Sequence, residues 1–463
     1  MPAGPAAAST VRVTAIAAIA AVGGFLFGFD TAVINGTVGA LEAQFQATEL
    51  ATGLTVSSAL VGSAIGAFLA GRLADRYGRA RTMQLTALLF VVSGFFSGAA
   101  LSLWDLSFWR LVGGLAIGLA SVIAPAYISE VSPARLRGRL GSLQQLAIVT
   151  GIFAALLGDY AIAAVAGSAS APAWLGIEAW RWMFWSELVP ATLYGLGAFF
   201  LPESPRYLVA RGREAEALEV LRVIEGPGAS HKLDEIRETV RTDRPGKLAD
   251  LRRAGTGLLP IVWVGIALSA FQQLVGINVI FYYSSVLWQA VGFSEGGALA
   301  ITVITSVTNI VTTLLAMATI DRLGRKPLLV AGSIGMAVTL GILAYTFSSA
   351  TVDAAGNPSL PGNAGVVALV AANAYVFCFG FSWGPVVWVL LGEMFPNRIR
   401  AVALSVAATA QWLTNFLVSA TFPLLLSRGL GLAYGLYATA AVVSLFFVLR
   451  FVPETKGREL EQM

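Results

Sequence analysis

The chain is poor in the residues that reactive chemistry and soluble packing draw on: 463 residues include one cysteine, one histidine and only 12% charged side chains. An ordinary soluble domain carries roughly 25% charge, so the composition is that of a membrane protein. Cys378, standing alone, excludes an internal disulfide. His231 falls in a charged stretch and reads as a solvated surface residue. The apolar stretches hold no histidine and one cysteine, with no zinc signature and no nucleophile and base to face each other. That argues against an intramembrane enzyme, and no metal or cofactor is expected. A formal net charge of +4 does not point to nucleic acid.

What is present is long apolar sequence, 57% hydrophobic overall. No charge occurs between Thr82 and Trp104, Leu258 and Phe293, Ala401 and Ser427, or Gly429 and Leu449. About 20 apolar residues suffice for a helix to cross a hydrocarbon core of ~30 Å. Twelve such spans are predicted: 13–37, 50–71, 82–104, 107–130, 140–162, 182–201, 258–288, 297–319, 328–349, 364–391, 401–427 and 429–450. No polar face alternates with an apolar one, as it would in soluble helices. The first span is too long for a signal-peptide core and is expected to remain as a helix. The reading is an all-α polytopic protein embedded in a lipid bilayer.

Basic residues gather in the loops after the even-numbered spans: 71–81, 132–139, 203–253, 321–326, 396–400 and the tail. The positive-inside bias makes those loops, and both termini, cytoplasmic. Three motifs recur about 250 residues apart: "DRYGR" from Asp75 with "DRLGR" from Asp321, "EVSPARLRG" from Glu130 with "EMFPNRIRA" from Glu393, and "PESPR" from Pro202 with "PETKG" from Pro453. The chain therefore reads as two parallel six-helix bundles, 1–202 and 257–452. Between them 203–256 forms a linker whose Leu218, Leu221 and Ile224 are spaced for short amphipathic helices, and 453–463 is a short tail.

Polar side chains inside the spans fall into two sets. Gln272, Gln273 and Asn278 of the seventh span lie about 18 to 27 Å from its cytoplasmic start. Asn309, Gln411, Trp412 and Asn415 reach similar depth, with Gln145 not far off. Carboxamides both donate and accept, so a ring of them can replace the hydration shell of an uncharged polyhydroxylated solute, or simply join helices. Trp412 and Trp388 could cover its apolar C–H face. Gly276, Gly380 and Gly384 with Pro385 mark possible helix breaks that gating needs. The second set is ionic: Asp30, Arg110 and Glu187, sharing the outer third of the bilayer, with Asp159 near an outer end. One cation and two acids carry a net charge of −1 that one proton balances. Either that set switches a proton or it is a static buried bridge that fixes packing.

The three motif pairs, with "RLVGGLAIG" (110–118), "FQQLVGINVIFYY" (271–283) and "WGPVVWVLLGEMFP" (383–396), closely resemble the sugar porter family of the major facilitator superfamily, in order and spacing from first span to tail. The resemblance is to bacterial glucose/proton symporters. It implies alternating access of two bundles about a central monosaccharide site, with Gln145, Gln272, Gln273, Asn278, Asn309, Trp388, Gln411 and Trp412 as sugar contacts. Ile152 and Phe281 match the apolar residues of glucose-handling members, where xylose-proton symporters carry glutamine and leucine. It also implies proton coupling through Asp30 and Arg110 with Glu187 as alternative partner; facilitative uniporters carry asparagine at the position of Asp30. A cytoplasmic gate of Asp75, Arg79, Glu130, Arg135, Asp321, Arg325, Glu393 and Arg400 is implied in the same way, although each could be a plain loop charge. A non-transporting sugar sensor is disfavoured by the dozen residues after the last span. The expectation is a D-glucose and proton symporter, acting as a monomer in a bacterial inner membrane, with an uncoupled hexose uniporter or a pentose or galactose symporter as alternatives.

Overall fold

Long apolar runs become helices because a backbone in hydrocarbon can satisfy its N–H and C=O groups only within itself. A computed structural model describes residues 5–133, 137–242, 248–253, 257–352, 358–396 and 399–455. The first set of helices is α1 (Pro5–Val33), α2 (Val38–Phe45), α3 (Glu49–Tyr77), α4 (Arg79–Gly98), α5 (Leu103–Val131), α6 (Arg137–Ala166), α7 (Ala179–Ser186) and α8 (Leu188–Phe199). Three short helices follow: α9 (Pro205–Ala210), α10 (Glu214–Glu225) and α11 (Ala229–Thr242). The second set is α12 (Pro260–Leu274), α13 (Ile277–Gln289), α14 (Glu295–Leu323), α15 (Arg325–Ser348), α16 (Ala364–Phe381), α17 (Trp383–Met394), α18 (Arg400–Arg428) and α19 (Leu430–Phe451).

Eleven stretches among the described residues are long and apolar enough to cross a membrane. The twelfth is 182–201, expected as one uninterrupted helix; it is instead divided between α7 and α8 at Glu187. Pro190 supplies the reason, since it has no N–H to give the Ser186 carbonyl one turn earlier. The amphipathic helix α2 was not among the expected spans.

The other two breaks fall where glycines suggested them. The seventh span divides into α12 and α13 at Gly276, whose φ of 81° is left-handed and whose missing Cβ leaves room for the Tyr437 ring. The tenth divides into α16 and α17 at Ser382, between Gly380 and Gly384. The linker helices enclose a small apolar core of their own, Leu208, Val209, Ala217, Leu221, Ala229 and Leu233. His231 lies on their surface, 83% exposed and 3.3 Å from Glu235.

The repeated motifs meet in space, once in each set of helices. Arg79, at the start of α4, pairs with Glu130 at the end of α5 (3.1 Å) and with Asp75 (3.2 Å), while its backbone N–H donates to Glu203 (2.8 Å). Arg325, at the start of α15, pairs with Glu393 at the end of α17 (2.7 Å), and its N–H and that of Lys326 donate to Glu454 (3.1 and 3.0 Å). Glu203 and Glu454 thus place a carboxylate on a helix N-terminus, where free N–H groups and the helix dipole favour it.

The two sets touch along α3 with α18 and α6 with α14. At the end away from the basic loops they are also stitched together. The Asn35 amide donates to the Phe281 carbonyl (3.0 Å) and accepts from the Ser285 N–H (3.2 Å), and the Ser285 hydroxyl donates to the Asn35 carbonyl (2.5 Å). The Ala169 N–H donates to Glu295 (2.7 Å) across the same seam. At the basic end the ion pairs just described each stay within one set.

Candidate functional site

The carboxamides of α12 and α13 form a relay. The Asn278 amide donates to Gln273 (2.5 Å), Gln273 donates to Gln272 (3.3 Å), and Gln272 donates to the carbonyls of Trp383 (2.9 Å) and Gly384 (3.2 Å). Gln272 therefore ties α12 to the first turn of α17, and its donor group is committed to the backbone of that break. Asn278, half-buried, ends the relay with its own carbonyl oxygen as an acceptor. Trp388 stands one turn beyond Gly384 on the same face of α17 and is 40% exposed.

From α18, Gln411 contributes a buried carbonyl oxygen without a partner among the described residues. Trp412 is buried with its ring 5.5 Å from that of Phe27 on α1, so it reaches the opposite set of helices. Asn415 donates to the hydroxyl of Tyr282 (3.3 Å). Asn309 of α14 is buried beside Gly380. On α6, Gln145 and Ile152 are half-buried two turns apart, and Ile152 packs against Gly28 of α1. Phe281 is buried, and its carbonyl belongs to the Asn35 seam.

The second set lies wholly within the first set of helices, on α1, α5 and the junction of α7 with α8. Asp30 of α1 and Arg110 of α5 form a tight ion pair, and the guanidinium also donates to the Asp30 carbonyl (2.9 Å). The Phe184 ring lies 5.9 Å from the guanidinium. Glu187, at the junction of α7 and α8, completes the group without a hydrogen bond to Oε1. All three side chains are 1 to 2% exposed. Asp30 Oδ2 and Arg110 Nε also lack hydrogen-bond partners among the described residues. Small residues make the room: a Cβ on Gly113 would come within 2.7 Å of Asp30 Oδ2, and one on Gly94 within 3.4 Å of Glu187.

The expected gate residues pair within each set of helices in this arrangement. Glu130 is held by Arg79 and Glu393 by Arg325, while Arg400 donates to the Phe395 carbonyl (3.1 Å). Arg135 and the side chain of Asp321 lie outside the described residues. Four participants escaped the sequence reading. Glu203 and Glu454 carried a signal, the recurring "PES" and "PET". Gln144 is 7% exposed against Gly24 with both amide ends unpartnered, and only its neighbour Gln145 had been singled out. Tyr282, whose hydroxyl accepts from Asn415, was visible only as an aromatic in "FYY".

Twelve membrane crossings in two repeated sets, with buried carboxamides in one and a buried cation-acid group in the other, define a membrane carrier for a small polar solute. The family model described as "Sugar (and other) transporter" matches residues 16–463, and the chain belongs to that family of the major facilitator superfamily. It is a transporter and not an enzyme. It is 62% identical over 450 residues to the glucose transport protein of Synechocystis sp. (strain ATCC 27184 / PCC 6803 / Kazusa), covering 97% of this chain and 96% of the relative. It is 38% identical over 487 residues to the D-xylose-proton symporter of Escherichia coli (strain K12), covering 97% and 94%. Among solved structures, the partially occluded inward open conformation of the xylose transporter XylE from E. coli matches with a TM-score of 0.83 at 37% identity, covering 96% of this chain and 99% of that one.

Proposed function

We propose that this transporter imports D-glucose together with protons by alternating access, as a monomer in a bacterial inner membrane with its basic loops and both termini in the cytoplasm. The observation that carries proton coupling is the fully buried group of Asp30, Arg110 and Glu187. With all three ionised the group holds one charge too many, and a buried charge without a partner is costly by several kcal/mol. A proton on either acid removes that excess. In the present arrangement Arg110 is committed to Asp30, the Asn35 seam is closed on the outer side and the cytoplasmic ion pairs do not bridge the bundles. That is the state expected after proton release to the cytoplasm. In the outward-facing state a proton from outside takes Asp30, Arg110 is free to turn to Glu187, and the group, now neutral, travels inward with the sugar.

The sugar reading rests on the carboxamides of Asn278, Gln273, Asn309, Gln411 and Gln145, which offer donors and acceptors without ionic charge, and on Trp388 and Trp412 beside them. Gln272 supports the same site by holding the first turn of α17. Glucose is favoured over xylose by the apolar Ile152 and Phe281 and by the relative named as a glucose transport protein. Cytoplasmic closure brings the Arg79 and Arg325 clusters, with Arg400, into a network that biases the outward-facing state.

The test is uptake of labelled glucose into proteoliposomes with and without an inward proton gradient, challenged by unlabelled xylose and galactose. Gradient-driven overshoot, competed by glucose analogues better than by xylose, is the expected result. Equilibration indifferent to the gradient identifies a uniporter, and stronger competition by xylose overturns the assignment of glucose.

A further inference from the structure

Asp159 is an acid that the coupling mechanism does not use. It stands on α6 seven residues before that helix ends, 0% exposed, and its Oδ2 accepts one hydrogen bond, from the Gly36 N–H (3.2 Å). Its Oδ1 has no partner among the described residues. The contact depends on Gly36 having no side chain, because a Cβ there would fall 2.7 Å from the carboxyl and 2.6 Å from the Asp159 Cβ.

The residue next to Gly36 is Asn35, which makes all three of the side-chain-mediated hydrogen bonds described above between α1 and α13. The carboxyl of Asp159 therefore grips from behind the turn that holds the outer seam shut. Elements packed against α6 carry charges, but those are engaged elsewhere: Asp30 of α1 with Arg110 of α5, Arg181 of α7 with Glu178, and Glu295 of α14 with the Ala169 N–H. Among the described residues, the Gly36 N–H is the one hydrogen-bond donor to the Asp159 carboxyl. Tyr160, its neighbour on α6, points away and is 37% exposed.

We propose that Asp159 is a proton-sensitive latch on the outer gate, a positioning residue that acts through Gly36 and Asn35. An ionised carboxylate with one N–H donor and no cation is strongly disfavoured in a dry site. The closed seam therefore suits the uncharged acid. Opening the seam admits water, which stabilises the charged form, so ionisation and opening favour one another. External alkalinity then releases the gate and external acid sets it. The inference rests on the alternating-access reading but not on coupling through Asp30.

One linked proton can change the open fraction by at most about tenfold per pH unit. The readout is labelling of a Val38→Cys reporter by an impermeant maleimide added outside, in the Cys378→Ser protein in proteoliposomes from pH 5.5 to 8.5. Val38 is 1% exposed in the closed seam. Its rate is divided by that of a Leu101→Cys reporter, 84% exposed, to remove the intrinsic pH dependence of thiol chemistry. The normalised rate is expected to rise with pH and to become low and flat in Asp159→Asn.

Asparagine preserves the acceptor for Gly36, so a purely structural aspartate would leave the slope unchanged in Asp159→Asn; that result overturns the proposal. A parent rate that does not vary with pH overturns it as well. Glu42, the acid on α2 that burial pushes above the usual carboxylate range, is tested by Glu42→Gln. Loss of the slope there, with retention in Asp159→Asn, assigns the latch to Glu42 and refutes the inference. Should Asp159→Asn fail to assemble, Gly36→Ala, which displaces the carboxyl from its donor, is expected to abolish the slope; a normal slope in that variant refutes the proposal. The assay needs neither sugar nor a proton gradient, so it fails independently of the symport test.

Discussion

Replacing Asp30 by asparagine separates transport from coupling, and the structure sets the size of each effect. Asparagine keeps an acceptor for Arg110, and the 2.9 Å bond from the guanidinium to the residue 30 carbonyl does not involve the side chain. Removing one member of a buried ion pair normally costs roughly 3–5 kcal/mol, because the other charge is stranded. Here Glu187 is at hand, and with Asp30 neutral the remaining pair of Arg110 and Glu187 sums to zero. The single variant should therefore lose well under the full penalty, while Asp30→Asn/Glu187→Gln strands Arg110 and incurs roughly 3–5 kcal/mol.

Transport follows the same arithmetic. One pH unit is worth about tenfold accumulation for a one-proton symporter, and an interior-negative potential of 100 mV adds about 2.3 kcal/mol, or roughly 50-fold. Asp30→Asn is expected to reduce accumulation to none while preserving glucose exchange at equilibrium. Thermal unfolding in detergent and paired uptake and counterflow assays read both quantities. Accumulation undiminished in Asp30→Asn, or a single variant as unstable as the double, would refute the reasoning and leave only a static bridge.

The remaining predictions concern other layers of the molecule. Asn278→Ala and Gln411→Ala each remove a hydrogen bond to the sugar and should raise KM for glucose roughly 2- to 10-fold at similar maximal rate; unchanged KM in both means these amides only join helices. Glu203→Ala and Glu454→Ala each uncap a helix and should lower stability by about 1 kcal/mol. Being in separate sets of helices, their effects should add in the double variant by thermal melts. In the linker, Arg237 holds Glu214 below the usual carboxylate range through bonds of 2.6 and 3.1 Å. A depressed acid contributes its stability above the unfolded value and loses it as pH falls through the folded one. The protection of amides in α10 and α11, measured relative to their intrinsic exchange rate at each pH, should therefore fall as the pH drops through the acid range and stay constant from neutral to mildly alkaline pH, with high salt weakening the effect.

The spans were legible because crossing a bilayer is a local demand: enough apolar residues in a row and no unmatched charge. Repeated motifs were legible for a similar reason, since each occupies one tight loop. Partner choice was not. Gln272 carries the composition of a sugar ligand, yet its donor is committed to carbonyls 111 and 112 residues away. Glu130 and Glu393 look alike whichever arginine they serve, and only the approach of α4 to α5 and α15 to α17 assigns Arg79 and Arg325. The break at Glu187 did have a signal, Pro190, but hydrophobicity alone runs straight through it.

The amino-acid order by itself determined that this chain must be a twelve-span helical protein, repeated in two sets, with polar groups too sparse and too buried to be incidental. These follow from chain length, hydropathy and spacing, which act within one segment. Tertiary structure decided which acid holds Arg110, which side of the bundle is sewn shut by Asn35, and where Asp159 sits relative to that seam. Those depend on how close independent helices come, at distances of about 3 Å between residues 80 or more positions apart, and hydrogen bonds weaken steeply at greater separation.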